Sequence, residues 1–310
     1  RYGEPNLYSI KECTQCGHYC TFPRINNNQL PSLYGNFYPR KDINLESIVK
    51  EAKKESSKFS GFFRWLKGTN NQGQFHAKKD DLFLDIGCGS GVSLIEAENL
   101  GAKAFGLEAD PNVKIIGKNL NLNIFQGKLD ESPFKDISFN LIVLNQVIEH
   151  IPEPDILLES LNTKITKDGL IIISLPNINS FWRFLFKEKW INWHVPYHLH
   201  HFNDKNFTKM IKKCGFQIIK KKSITPNIWS LMQIRNILKP IKIGEKNKQW
   251  MTYNSLNSIN KTDKDLKNKM IILFKTLLKI LILAPITILN RFIDLFGLGD
   301  SLIFFIKVIN

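Results

Sequence analysis

Short, nearly continuous apolar runs punctuate the middle of the chain: LFLDIG from Leu82, AKAFGLE from Ala102, FNLIVLN from Phe139, LIIISLP from Leu170 and FQIIKKKSI from Phe216. Longer stretches with helical spacing of apolar residues lie between them. A strand that is apolar on both faces must be covered on both, which is the pattern of a parallel sheet joined by helical crossovers. Residues 78–225 therefore read as a doubly wound α/β unit. A last apolar run, SLIFFIKVI from Ser301, reads as a terminal strand of the same core within 297–310.

The pattern differs elsewhere. In residues 1–40 the turn formers Pro23, Pro31, Gly35 and Pro39 dominate, so a small loop-rich element is expected. Leu45, Ile48, Val49, Ala52, Phe59, Phe62, Phe63 and Leu66 recur at roughly helical spacing, which predicts one or two amphipathic helices in a linker region, 41–77, that closes with the polar stretch Gly68 to Gly73. Residues 226–296 form an insertion ahead of the terminal strand. Its apolar segment from Met270 to Leu289 is interrupted by Lys275 and Lys279, and Pro285 is expected to break its helix, so the roughly 20 uncharged residues of a membrane span are not available.

At 310 residues and 43% hydrophobic, the chain can bury one large core or two modest ones, which excludes a disordered or fibrous protein. The net charge of +15 is localised: Asn203 to Phe296 holds 19 Lys and Arg against 5 Asp and Glu. Such a region suits nucleic acid or anionic lipid headgroups, with a general bias toward Lys, Asn and Ile as the plainer explanation. Five cysteines are too few for a disulfide scaffold and no signal-peptide pattern opens the chain, so a reducing cytoplasm is expected. The start at Arg1 points to a native N-terminus that is missing or processed.

The sharpest chemistry lies in Asp85-Ile86-Gly87-Cys88-Gly89-Ser90-Gly91, between LFL and the helical stretch VSLIEAENL. Glycines at 87, 89 and 91 let the backbone turn tightly against a ligand. Glu108, ending the next run, places a carboxylate where it can accept from both hydroxyls of a ribose. The loop reads GCGSG where a pyrophosphate fingerprint wants GxGxxG, which weighs against a dinucleotide-binding oxidoreductase.

With the segment Gln126 to Phe134, the run Phe139 to Leu144, the pair in Glu149-His150-Ile151-Pro152-Glu153-Pro154 and the run GLIIISLPN, the chain resembles a class I S-adenosylmethionine-dependent methyltransferase, closest to the group acting on small molecules, lipids and glycans. The resemblance covers roughly Leu82 to Ile224 plus the terminal strand. It implies a Rossmann-like, doubly wound seven-stranded sheet, mostly parallel with an antiparallel last strand, carrying a small N-terminal element and a helical insertion between strands six and seven. It also implies S-adenosylmethionine as cofactor, with Asp85, Gly87 and Gly89 at the methionine half, Glu108 at the ribose and Leu129 and Asp130 at the adenine. Cys88, Gly91, Ala109 and Asn145 complete the implied set. Many relatives have Asp after the glycine at 127, where this chain has Lys128.

Methyl transfer from a sulfonium is an in-line displacement, so alignment supplies much of the rate, and a neutral imidazole can take the proton of an acceptor hydroxyl. His150 is the candidate base, with a hydrogen-bonded structural role as its alternative, and Glu149 is a carboxylate that orients it or one that starts a helix, where the N-terminal dipole favours it. Some quinone-biosynthesis O-methyltransferases place a metal-binding Glu three residues before their Glu-His pair. Here that residue is Gln146, which weakens a metal role. In the run from Trp190 to Phe202, His194 and His198 are candidate substrate contacts or bases, and His200 and His201 are expected to tether the loop. The run lacks a carboxylate at suitable spacing for metal ligation.

Cys13-x-x-Cys16-Gly resembles half of a zinc ribbon, with local completion by His18 and Cys20 as an alternative. Cys88 and Cys214 read as buried packing residues. The expected function is O-methylation of a glycan intermediate or a lipid-linked or quinone-like small molecule, with 226–296 contacting the inner face of a membrane or, alternatively, packing as a helical hairpin against the sheet or a dimer partner. Nucleic-acid methylation is disfavoured by Asn145-Gln146-Val147-Ile148, which lacks a Pro-Pro-aromatic signature; a non-catalytic scaffold is the third reading.

Overall fold

The computed structural model describes residues 6–26, 29–30, 32–33, 45–55, 60–70, 72–238 and 283–309. The chain opens with a hairpin, β1 (Ser9–Glu12) and β2 (Tyr19–Phe22), followed by helices α1 (Leu45–Glu55) and α2 (Ser60–Lys67). It then alternates: β3 (Leu82–Ile86), α3 (Val92–Asn99), β4 (Lys103–Glu108), α4 (Val113–Leu120), β5 (Ile124–Gln126), β6 (Phe139–Asn145), α5 (Pro154–Leu161), β7 (Ile165–Pro176) and α6 (Phe181–Phe186). The two-residue strand β8 (His200–His201), α7 (Asp204–Lys213), β9 (Phe216–Ile224), α8 (Asn227–Leu238), α9 (283–295) and β10 (Ser301–Val308) complete it.

Seven strands form one sheet in the order β5-β4-β3-β6-β7-β10-β9. The first five in that order run parallel, and β10 lies antiparallel between β7 and β9. This is the expected mostly parallel, doubly wound architecture. Alternate residues of each strand serve opposite faces. Leu84, Ile86, Ile142, Leu144, Ile171 and Ile173 pack with Leu158 and Leu161 of α5 and Phe207 and Ile211 of α7. Phe83, Leu141, Val143 and Ile172 pack on the other face with Leu94 and Ala97 of α3. Each such side chain contributes about 1.5–3 kcal/mol when fully buried, so this sandwich dominates the stability.

Two regions are more ordered than their sequence implies. The N-terminal zone is a three-stranded sheet in which β2 pairs with β8, Tyr19 opposite His201 and Cys20 opposite His200. The polar stretch before β3 is pressed on the sheet: a Cβ on Gly73 would stand 2.9 Å from Val143 Cγ1, and the Gly73 N–H donates to Asn145 Oδ1 at 2.9 Å. Only glycine allows that approach.

In the insertion, Lys275, Lys279 and most of the apolar segment lie outside the described residues. No described helix is long and apolar enough to cross a membrane. Pro285 lies within helix α9, whose described residues begin at 283; the segment ahead of it, on which the expected break bears, lies outside the described residues. Polar side chains fasten α8 and α9 to the core. Asn290 Oδ1 accepts from Trp182 Nε1 at 3.0 Å and from Ser230 Oγ at 3.1 Å, while Arg291 donates to the carbonyls of Trp65, Leu66 and Thr225 and pairs with Asp294 at 2.8 Å.

Candidate active site

The glycine turn leaves the carboxyl end of β3 with Gly87, Gly89 and Gly91 at φ of 78°, 58° and 77°. A Cβ at Gly87 would collide with Val147 Cγ2, so the turn is packed directly beneath the loop that follows β6. The N–H groups of Gly87 and Cys88 donate to Leu107 O, which locks the turn to β4, and Cys88 itself is buried against Gly106.

Three buried carboxylates surround this turn: Asp85, Glu96 and Glu108. Glu108 accepts from the backbone N–H groups of Gly89 at 2.8 Å, Ala109 at 2.9 Å and Asp110 at 3.2 Å, which fixes it at the end of β4. Asp85 Oδ2 accepts from the Ser93 hydroxyl, whereas Asp85 Oδ1 meets no hydrogen-bond partner among the described residues. Burial pushes the Asp85 carboxyl up to about 7; the Ser93 hydroxyl opposes the shift, and the neighbouring Glu108 and Glu96 reinforce it.

Asn145 is committed to a structural chain, donating to Gln74 Oε1 at 2.9 Å, and Gln74 in turn donates to Glu96 Oε2 at 2.7 Å. Leu129 is buried in the core, and Asp130 is exposed on the short turn Leu129–Glu131. Sequence reasoning missed Gln74, Ser93 and Glu96, which shape the site from outside the glycine motif.

The loop after β6 and the loop after β7 bring the predicted His150, His194 and His198 together with Glu149. The anchor is a backbone hydrogen bond from Leu199 N–H to Glu149 O at 2.8 Å. Glu149 is 1% exposed, its Oε1 lies 4.0 Å from His150 Nε2 and 3.8 Å from His198 Nε2, and neither of its carboxylate oxygens has a hydrogen-bond partner among the described residues. His150 Nδ1 donates to Tyr197 O at 3.0 Å, and His198 Nδ1 to Asn192 O at 2.7 Å. A carbonyl only accepts, so each ring, in its neutral form, turns an unprotonated Nε2 toward Glu149. The His194 ring stands 4.8 Å from that of His198. Burial pushes Glu149 up to about 8 and His198 well below the ordinary histidine value, the latter reinforced by the other histidines.

His200 and His201 tether the loop, as expected. His201 Nε2 lies 3.1 Å from Thr21 Oγ1, and His200 Nδ1 lies 3.0 Å from His18 Nε2. Cys13 and Cys16 are exposed on the turn of the hairpin, where the backbone of Cys16 and Gln15 holds the Cys13 thiol below its usual value, and Cys20 is buried.

A glycine turn at the carboxyl edge of a doubly wound sheet, ringed by carboxylates at two strand ends, defines a nucleoside-cofactor-binding α/β protein. The methyltransferase domain family matches residues 64–221, just over half of the chain, and the chain belongs to that family. It is 33% identical over 99 residues to a ribosomal protein L11 methyltransferase from Helicobacter hepaticus, covering 29% of this chain and 30% of the relative. It is 28% identical over 105 residues to a ubiquinone biosynthesis O-methyltransferase from Glaesserella parasuis, covering 30% and 44%. The matches thus span less than half of these relatives' own length. Among solved structures, an S-adenosylmethionine-dependent methyltransferase from Mesorhizobium loti aligns at a TM-score of 0.48 and 13% identity, over 80% of this chain and all of that one.

Proposed function

We propose that the chain transfers a methyl group from S-adenosylmethionine to a hydroxyl of a glycan, lipid-linked or quinone-like acceptor. The observation that carries this reading is the cluster of buried carboxyl groups at the glycine turn. Asp85 Oδ1, with no donor among the described residues, and the nearby Glu96 and Glu108 fit a cofactor that brings an ammonium and a sulfonium, and they disfavour a pyrophosphate. Asp85 would hold the cationic methionine half, Glu108 the ribose hydroxyls, and the backbone of residues 87–91 would close around the cofactor, which supplies an activated methyl group.

The remaining task of the protein is alignment and proton handling. The Glu149, His150 and His198 group stands two to three residues beyond Val147 along the β6 side of the turn, and from the β7 side His198 reaches it; this supports an acceptor hydroxyl there. A lipid-linked acceptor is supported by an exposed apolar face: Phe62, Phe63 and Trp65 on α2, and Ile288, Phe292 and Leu295 on α9, joined through the Arg291 to Trp65 contact. The basic excess between Asn203 and Phe296 complements an anionic bilayer. Zinc at Cys13 and Cys16 belongs to the same proposal, supported by the backbone of their turn, which holds the Cys13 thiol below its usual value and so favours the ligating thiolate.

Transfer of radiolabelled methyl from the cofactor to fractionated lipid, glycan, protein and nucleic-acid extracts tests the reading. Label in the lipid or glycan fraction is expected; label confined to nucleic acid or protein overturns the acceptor class. Loss of binding to anionic phosphatidylglycerol vesicles is expected in Phe292→Asp, and unchanged binding removes the membrane contact.

A further inference from the structure

The histidine run has no carboxylate in its own segment, but the fold brings one to it from the end of β6. We infer that Glu149, His150 and His198 form a binding site for one divalent transition-metal ion of the zinc or manganese class. The ion's role in catalysis rests on the methyltransferase reading; its binding does not.

Three potential ligand atoms, one each from Glu149, His150 and His198, converge here. Glu149 Oε1 is 4.0 Å from His150 Nε2 and 3.8 Å from His198 Nε2, and all three ligand atoms lie within 4.8 Å. These separations are too long for hydrogen bonds. They do suit a shared cation: with two sides of 4.0 and 3.8 Å and a third of at most 4.8 Å, a point exists within about 2.5 Å of all three atoms, near the roughly 2.0–2.2 Å of zinc–nitrogen and zinc–oxygen bonds.

Both imidazoles are also held as metal-ligating histidines are held. Each donates its Nδ1 proton to a backbone carbonyl, Tyr197 O or Asn192 O, which fixes the tautomer and aims Nε2. Glu149 adds the third sign. A buried carboxyl group with no hydrogen-bond partner on either oxygen among the described residues is costly to ionise, and a bound cation relieves that cost.

The second histidine group behaves differently. There His18 Nε2 and His200 Nδ1 already bond at 3.0 Å and His200 Nε2 lies 3.2 Å from Pro152 O, so both ring nitrogens of His200 are engaged.

Two nitrogens and one carboxylate favour zinc, manganese or iron over calcium and magnesium, which prefer oxygen. Three protein ligands leave coordination positions open, and His150, whose side chain is 15% exposed, places the opening toward solvent. An acceptor hydroxyl entering there is acidified by the ion. Its proton leaves to solvent, the oxygen–methyl bond forms as the sulfur–methyl bond breaks, and the sulfonium departs as a neutral thioether.

Cobalt(II) titrated into the full chain carrying Cys13→Ser, Cys16→Ser and Cys20→Ser is the test, followed by calorimetry and visible absorption. One equivalent is expected, with ligand-field bands and no thiolate-to-cobalt charge transfer. Glu149→Gln and His198→Gln should each weaken cobalt at least tenfold while S-adenosylhomocysteine binding stays within about twofold. If either variant loses its circular dichroism, His150→Gln, at the part-exposed position, carries the same expectation. No cobalt uptake by the thiol-free chain, or uptake unchanged by Glu149→Gln, overturns the site. Cobalt binding kept with S-adenosylhomocysteine binding absent would strike the methyltransferase reading and leave the metal site standing.

Discussion

Replacing Asp85 by Asn should make the cofactor-free protein more stable and its cofactor site worse. In the folded chain, burial raises the Asp85 carboxyl from an ordinary 3.8 to about 7. A folded pKa above the unfolded one means that the folded state holds the extra proton between those values. The stability contributed by neutral Asp85 is therefore fully present below about pH 4 and is lost as pH rises through about 7. Three units correspond to about 4 kcal/mol at 1.36 kcal/mol per unit. Asn keeps an acceptor for the Ser93 hydroxyl and never ionises, so the variant should exceed wild type by up to about 4 kcal/mol at pH 8 and match it near pH 4. Urea unfolding of both proteins across this range isolates the single group, because the other titrations cancel in the difference. At pH 7 the variant should bind S-adenosylmethionine about 10–100-fold more weakly, having lost a buried partner for the ammonium. A variant less stable than wild type at pH 8, or one with unaltered cofactor affinity, refutes the argument.

Three further outcomes follow from the same contacts. Wild-type affinity for S-adenosylmethionine should rise about 15-fold from pH 5.5 to pH 7 as Asp85 ionises, a window in which the cofactor's amino group stays charged; a flat calorimetric profile would contradict this. Gly87→Ala forces a Cβ into Val147 at φ 78°, and should cost about 2–4 kcal/mol in unfolding experiments and at least tenfold in cofactor affinity. Arg291→Ala leaves Asp294 and three backbone carbonyls without their buried guanidinium and should lower stability by about 3–5 kcal/mol; a loss under 1 kcal/mol would show that α9 is not fastened there.

The parallel core was legible because its strands are apolar on both faces, and the pattern gave β3, β4, β6, β7, β9 and β10 directly. Strand β5 was not: three half-buried residues, Ile124 to Gln126, carry no periodicity. The N-terminal hairpin escaped because what orders it is pairing with His200 and His201, a contact almost the full length of the core away in sequence. The glycine turn and Glu108 announced themselves by residue type and spacing. Glu96 offered a fainter signal, since Glu96 and Glu98 sit about 200° apart on a helix and one of the two must face inward. The meeting of Glu149 with His198 had no sequence signature, because it depends on how two loops close over the carboxyl edge of the sheet.

Calorimetry of the intact chain with S-adenosylhomocysteine, S-adenosylmethionine and NAD tests the central claim most directly. One-site binding of the first two, lost in Gly87→Ala, with no heat from NAD is the predicted result. Heat from NAD alone, or from none of the three in folded protein, would contradict it.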